Sequence, residues 1–221
     1  QSCNKTEIDH ELGKKMRSSA VLIGPVLARF GEISFSHPGG CVIGARPIDL
    51  FLSAFEKMGA NISCSGDTYT LSGKLVGADI FFDNVSVGAT ETLMMAATLA
   101  KGKTVLRNAA MEPEIVDVGK FLISCGAKIE GLGTPTIVIE GGELLSSDEK
   151  IYKVLPDRVE AGSFLILGAL SAKELRIDNC DPGHIQSLLS LLYRAGVPVE
   201  VGPDFIVVNG KDKYSSVNVK T

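Results

Sequence analysis

The residues most able to do chemistry sit in the stretch HPGGCVIGARPIDLF, residues 37 to 51. Cys41 lies among Gly39, Gly40 and Gly44, and Arg46 follows five residues later, just before Pro47. Glycine is costly to order and is used where a backbone bends unusually or moves. A cation and the positive end of a helix starting near Pro47 both favour a thiolate and lower the thiol pKa from about 8.5. Such a thiol exchanges a proton near neutral pH or attacks an electrophile. The competing reading is a buried, inert cysteine, the commonest fate of a free thiol. That reading suits Cys64 in a strand and Cys125 at a helix end better than Cys41 in a glycine loop. His37 is near in sequence, but nothing in the sequence aims it at the thiol.

Two further stretches carry possible ligand groups. In NVSVGAT, residues 84 to 90, Ser86 is placed to cap a helix whose first N–H groups have no intrahelical partner. A phosphate fits such a helix start, and simple capping explains it equally well. In MEPEIVD, Glu112 and Glu114 flank Pro113, where acidic groups offset a helix dipole. Arg17 and Arg158 each stand just ahead of an apolar helix. A cation is poorly placed there for the dipole, which leaves it available for another task.

The elements that must position these groups form a repeat. Segments from about 15 to 80, 81 to 155 and 156 to 221 read alike. Each opens on an apolar helix (SSAVLIGPVLARF, GATETLMMAATLA, EAGSFLILGALSA), followed by a strand (EISFS, KTVLRNA, ELRIDN). A second helix starts at a proline, Pro47, Pro113 or Pro182, which suits a first helical turn. It ends at Gly59, Gly126 or Gly196, where glycine supplies a left-handed cap, and strands follow. Core-facing periodicity runs through Ile48, Phe51, Leu52, Phe55 and Met58, and again through Ile185, Leu188, Leu189 and Leu192. Gly31 to Pro47 spans 16 residues, against 11 from Gly102 to Pro113 and 10 from Ala172 to Pro182. The first repeat therefore carries about five extra residues at Cys41. An insertion that the fold does not need points to function.

Composition narrows the classes. A net charge of −4 argues against a general nucleic-acid binder, which needs a basic face. The apolar runs are too short for a membrane helix of roughly 20 residues, and no secretory signal pattern opens the chain. The 5 cysteines include no CxxC pair, which fits a reducing cytoplasm. The 3 histidines, His10, His37 and His184, are scattered, so a metal site has little support.

PGGCVIGARPIDL, SVGAT, NAAMEPEIVD and VLPDRVEAGSFL closely resemble the UDP-N-acetylglucosamine 1-carboxyvinyltransferases, enolpyruvyl transferases of bacterial peptidoglycan synthesis. The likeness runs along nearly the whole chain, in order. It implies an α/β (α+β type) fold of βαβαββ repeats, an inside-out α/β barrel with the active site in a cleft between two domains. It implies transfer of the enolpyruvyl group of phosphoenolpyruvate to the 3-hydroxyl of UDP-N-acetylglucosamine, with loss of phosphate and without metal or cofactor. Matched residue by residue, Cys41 is the proton donor and the target of fosfomycin. Arg46 and Arg17 bind substrate. The run Arg46, Pro47, Ile48, Asp49 and Leu50, with Asn84, Val85, Ser86, Val87 and Gly88, meets the uridine and diphosphate. Glu112 and Arg158 line the cleft.

The family's N-terminal Lys-Asn pair and its aspartate base have no match here. The expectation is therefore an internal fragment, inactive alone. Residues 1–155 would hold two repeats of the cysteine-loop domain, and residues 156–221 the first repeat of the other. The expected partners are the two substrates, in the cytoplasm, with no nucleic acid or membrane, and with self-association through the incomplete domain. Two alternatives stay open: an enolpyruvyl transferase for another acceptor, and a non-catalytic module that binds a nucleotide sugar.

Overall fold

The computed structural model describes residues 4–39, 48–147 and 151–219. The chain divides into two compact units, Gln1–Tyr152 and Lys153–Thr221.

The first unit opens with α1 (His10–Lys15), a 3-10 segment (Arg17–Leu22) and α2 (Ile23–Phe30), then β1 (Glu32–Ser36), α3 (Asp49–Lys57), β2 (Asn61–Ser65) and β3 (Thr68–Ser72). The same order recurs as β4 (Asp79–Phe81), α4 (Val87–Ala97), β5 (Gly102–Arg107), α5 (Pro113–Ser124), β6 (Lys128–Glu130) and β7 (Thr136–Gly141). The second unit has α6 (Arg158–Ser171), β8 (Leu175–Asp178), a 3-10 segment (Pro182–Ile185), α7 (Gln186–Arg194), β9 (Val199–Val201) and β10 (Phe205–Val208).

Three sheets follow one plan: β1-β3-β2, β4-β5-β7-β6 and β8-β10-β9, with the last strand of each module between the two strands that precede it in sequence. These pairings are antiparallel, except that β4 runs parallel to β5. Glu7 makes the corresponding parallel bridge to Ser34. The spacing-based caps are present: Gly59, Gly126 and Gly196 have φ of +87°, +105° and +79°. Side chains rarely adopt that backbone, so the glycines end the second helix of each module.

In the first unit the helices lie inside and the sheets outside. Helix α4 touches α2, α3 and α5 and strands β5 and β7. It meets α2 so closely that a Cβ on Gly24 would strike the Thr92 carbonyl. Leu27, Phe35, Phe55, Leu71, Phe82, Leu93, Met94, Ile115 and Ile139 join one core. The second unit has a smaller core around Leu165, Leu192, Ile206 and Val208. Among the described residues, no helix is long and apolar enough to cross a membrane.

The structure corrects several readings. The apolar stretch ahead of Gly31 is not one helix. Its first half is the 3-10 segment, and the α-helix begins only at Ile23. Pro25 is the reason: deeper in an α-helix it would lack a needed N–H and clash with the carbonyl four residues back. After Pro182 there is likewise a 3-10 turn before α7, with Gly183 donating its N–H to the Asp181 carboxylate at 2.8 Å. Helix α1 was not expected, and strand β4, the opening strand that the βαβαββ resemblance implies, was not located from the sequence. Cys64 is exposed rather than buried. It sits on β2, an edge strand on which only Ile62 is even half-buried.

Candidate functional site

The start of α4 is built by short-range polar contacts. Ser86 is extended (φ −139°, ψ 114°), and its Oγ accepts the Ala89 N–H at 3.3 Å. The capping reading of Ser86 therefore holds. Asn84 and Val85 are exposed ahead of it, while Ser86, Val87 and Gly88 are half-buried. The N–H groups of Val87 and Gly88 belong to the first turn, where no carbonyl precedes them in the helix. They and the helix dipole favour an anion in front of Ser86.

The first turn of α3 lies beside it. The Phe51 ring is 3.6 Å from where a Cβ on Gly88 would stand. Ile48 is 2% exposed and accepts the Phe51 N–H at 2.9 Å. Its side chain therefore anchors the helix in the core, which leaves only its backbone for any contact with a ligand. Asp49 is exposed and Leu50 half-buried against the core. Cys41, Arg46 and Pro47 lie outside the described residues. The chain entering that segment is tied down: Gly39 donates its N–H to Gly13 O at 3.3 Å, and Arg17 Nη1 donates to Pro38 O at 3.5 Å. Arg17 thus stands at the root of the cysteine segment.

The third component is the connection from β5 to α5. Asn108 holds the left-handed conformation (φ 56°), and its Nδ2 donates to Phe82 O at 2.8 Å. Ala110 N–H donates to Thr90 Oγ1 at 3.1 Å, and that hydroxyl donates to Ser86 O at 2.8 Å. Thr90 is fully buried. Glu112 caps α5 through its backbone, its carbonyl accepting the Ile115 N–H at 3.0 Å. Its Oε2 is buried and has no hydrogen-bond partner among the described residues. Burial and then the neighbouring Glu114 charge push the Glu91 carboxyl above its usual range. The structure therefore gathers residues 48–50, 84–88 and 112 around the start of α4. Thr90, Asn108 and Glu91 also belong to this neighbourhood. Sequence reading missed them because the contacts that place them here, to Ala110, Phe82 and Glu114, span 20 or more residues.

Arg158 belongs to the second unit, at the first residue of α6. Asp157 caps that helix, accepting the Val159 and Glu160 N–H groups at 2.8 and 3.1 Å. A cavity of about 210 Å³ opens there among Pro156, Asp157, Glu160, Phe164, Asp178 and Cys180, and Arg158 does not line it. Its acidic wall suits a phosphate poorly. Cys180 is 5% exposed, and burial first, then Asp178 and Asp204, raise its thiol pKa. It is not an activated nucleophile. Among the described residues, no group of three His, Cys, Asp or Glu side chains is arranged to hold a metal.

The starts of α3 and α4, from consecutive repeats, lie side by side, and the buried Thr90 hydroxyl ties the start of α4 to the connection that ends at Glu112. The family described as EPSP synthase (3-phosphoshikimate 1-carboxyvinyltransferase) matches residues 1–221, and the chain belongs to that family. It is 45% identical over 226 residues to the UDP-N-acetylglucosamine 1-carboxyvinyltransferase of Shewanella amazonensis, covering 99% of this chain and 54% of the relative. It is 48% identical over 215 residues to the protein of that name from Escherichia coli O1:K1 / APEC, covering 96% and 51%. The chain thus spans about half the length of the curated relatives it matches. In structure it resembles the enolpyruvyl transferase NikO from Streptomyces tendae, with a TM-score of 0.75 and 22% identity over 95% of this chain and 51% of the other. That likeness establishes the fold, an α/β arrangement of enolpyruvyl-transferase repeats.

Proposed function

We propose that this chain carries the cysteine-loop side of an enolpyruvyl transferase that joins phosphoenolpyruvate to the 3-hydroxyl of UDP-N-acetylglucosamine in peptidoglycan synthesis. The observation that carries the reading is 45–48% identity, over 96–99% of this chain, to relatives bearing that name. Adding the sugar oxygen to C2 of phosphoenolpyruvate puts a proton on the methylene carbon, which Cys41 supplies as general acid, while the proton of the attacking hydroxyl passes to a general base. Loss of phosphate, with return of that proton, restores the vinyl group. Arg46 and Arg17 hold the anionic donor. Residues 46–50 and 84–88 hold the uridine and diphosphate, the latter at the first turn of α4. Glu112 and Arg158 complete the cleft walls. In this reading residues 1–155 are two repeats of the cysteine-loop domain, residues 156–221 open the other domain, and the enzyme works in the cytoplasm without metal or cofactor.

We also propose that the chain associates with a second copy through the outer face of α6. Val159, Ile166, Leu167 and Leu170 on that face are 64%, 46%, 53% and 72% exposed. The equivalent helix of the first unit is covered by helices of the same kind of module, which makes another copy of the module the occupant that fits.

Two measurements test the catalytic reading. Calorimetry on the chain should show UDP-N-acetylglucosamine binding, while a phosphate-release assay with both substrates should stay blank, because turnover needs a positioned base as well. Limited iodoacetamide treatment should label Cys41 first and Cys180 last, with the exposed Cys64 between them. No binding, or Cys64 labelling ahead of Cys41, would count against the assignment.

A further inference from the structure

The segment Asn84–Gly88 has no regular structure of its own before Val87, yet both its ends are fixed to one connection. At one end, Phe82 N–H donates to Arg107 O at 3.0 Å, and Phe82 O accepts from Asn108 Nδ2 at 2.8 Å. At the other, Thr90 Oγ1 accepts the Ala110 N–H at 3.1 Å and donates to Ser86 O at 2.8 Å. Phe82 is 1% exposed and Thr90 0%, so the acceptor residue at each joint is shielded from water. We infer that Thr90 and Asn108 are positioning residues, a two-point clamp that sets the nucleotide-facing segment 84–88 against the Glu112 end of the same connection. The inference rests on the nucleotide-sugar reading given above and adds two residues to it.

The third repeat separates this role from a need of the fold. Ser86 and Asp157 are equivalent caps 71 residues apart, and Asn108 and Asn179 are equivalent left-handed residues, also 71 apart. The connection is anchored alike in both copies: Ala109 N–H donates to Pro135 O at 3.0 Å, and Cys180 N–H to Asp204 O at 3.1 Å. Counting on from the caps, the place of Thr90 is taken by Ala161, which has no hydroxyl. The module closes without that joint. The left-handed asparagine belongs to the module, whereas the Thr90 hydroxyl belongs to the copy that carries residues 84–88 and Glu112. Two substituents at one position separate its functions: a valine keeps the shape and loses the hydroxyl, and a serine keeps the hydroxyl.

The test uses Thr90→Val, Thr90→Ser and Asn108→Gly in this chain, with amide exchange and calorimetry against UDP-N-acetylglucosamine. Thr90→Val should speed exchange at Ala110 and weaken binding about tenfold, the scale of one buried hydrogen bond, while Thr90→Ser stays near the parent. Asn108→Gly keeps the backbone conformation and removes only the side-chain bond to Phe82 O; by loosening that end it should speed exchange at the Phe82 N–H, which the adjacent Arg107 O holds, and weaken binding less. Equal effects of valine and serine, or unchanged exchange at Ala110 in Thr90→Val, would overturn the clamp. If Thr90→Val does not fold, unchanged exchange at Phe82 in Asn108→Gly overturns it alone. Absence of binding by the unaltered chain would instead remove the nucleotide-sugar reading, and exchange at Ala110 and Phe82 would still decide whether the clamp exists.

Discussion

Helices α4 and α6 hold the same place in two copies of one module, and their surroundings differ. With the caps aligned, Leu93, Ala96 and Leu99 of the second copy correspond to Phe164, Leu167 and Leu170 of the third. Leu93 and Ala96 are fully buried, and Leu99 is half-buried. Their counterparts are 46%, 53% and 72% exposed. Both helices are apolar nearly all round, the pattern of a helix meant to be covered on every side. Only α4 has that cover, from α2, α3 and α5. Composition therefore reports how much burial a helix is built for, while its neighbours decide how much it receives.

The comparison can be broken most directly by truncating the paired side chains. Leu93→Ala should cost about 2–5 kcal/mol, the range for emptying a closed core site. Phe164→Ala, on a half-open face, should cost less than about 1 kcal/mol. Chemical denaturation read separately in each unit by amide exchange measures both. Equal losses would mean that α6 is as well covered in solution as α4.

A charge on the open face sharpens the contrast. Leu170→Glu should leave folding within about 0.5 kcal/mol, as surface changes do. It should also abolish the rise of apparent mass with concentration expected for the unaltered chain in light scattering, since burying an unpaired carboxylate opposes association. A parent chain that stays monomeric at every concentration would remove the self-association proposal.

How much of this was legible beforehand depends on the reach of each interaction. The glycine caps at Gly59, Gly126 and Gly196 were readable because the requirement is local: a left-handed residue ends a helix. The cap at Ser86 was readable for the same reason. Strand β4 was not, because 3 residues give no alternation and its parallel partner β5 lies beyond an intervening helix. The split of the first apolar helix was in principle visible at Pro25, but hydrophobic periodicity masked it. Cys64 was misread because strand membership does not say which face or edge a residue occupies. The joint at Thr90 could not be read at all, since Ala110 is 20 residues away and any Ser or Thr in a first helical turn looks like local capping. Periodicity and turn chemistry gave the scaffold, whereas the residues that bring segments 84–88 and 108–112 together emerge only once the repeats are packed.

The smallest expected effect tests the burial of α4 by its electrostatics. Glu91 lies on that helix, and burial, followed by the Glu114 charge, raises its carboxyl pKa above the reference value of 4.5. The folded state therefore binds this proton more tightly than the unfolded chain does. The stability linked to that proton is fully present below the unfolded pKa and is lost as pH rises through the higher folded value. Once ionised, Glu91 leaves the folded state bearing the cost of a half-buried charge beside another carboxylate. Glu91→Gln removes that charge at every pH. It should raise stability at pH 7 by no more than about 1 kcal/mol, because the site remains partly open to water. The gain should shrink as pH falls below 4.5, where the parent's Glu91 is itself neutral. The equivalent position on α6 is Gly162, so the effect is confined to the first unit. Unfolding midpoints at pH 7 and pH 4 measure the difference. An equal gain at both would show that side-chain shape, not the charge, sets the stability of this part of α4.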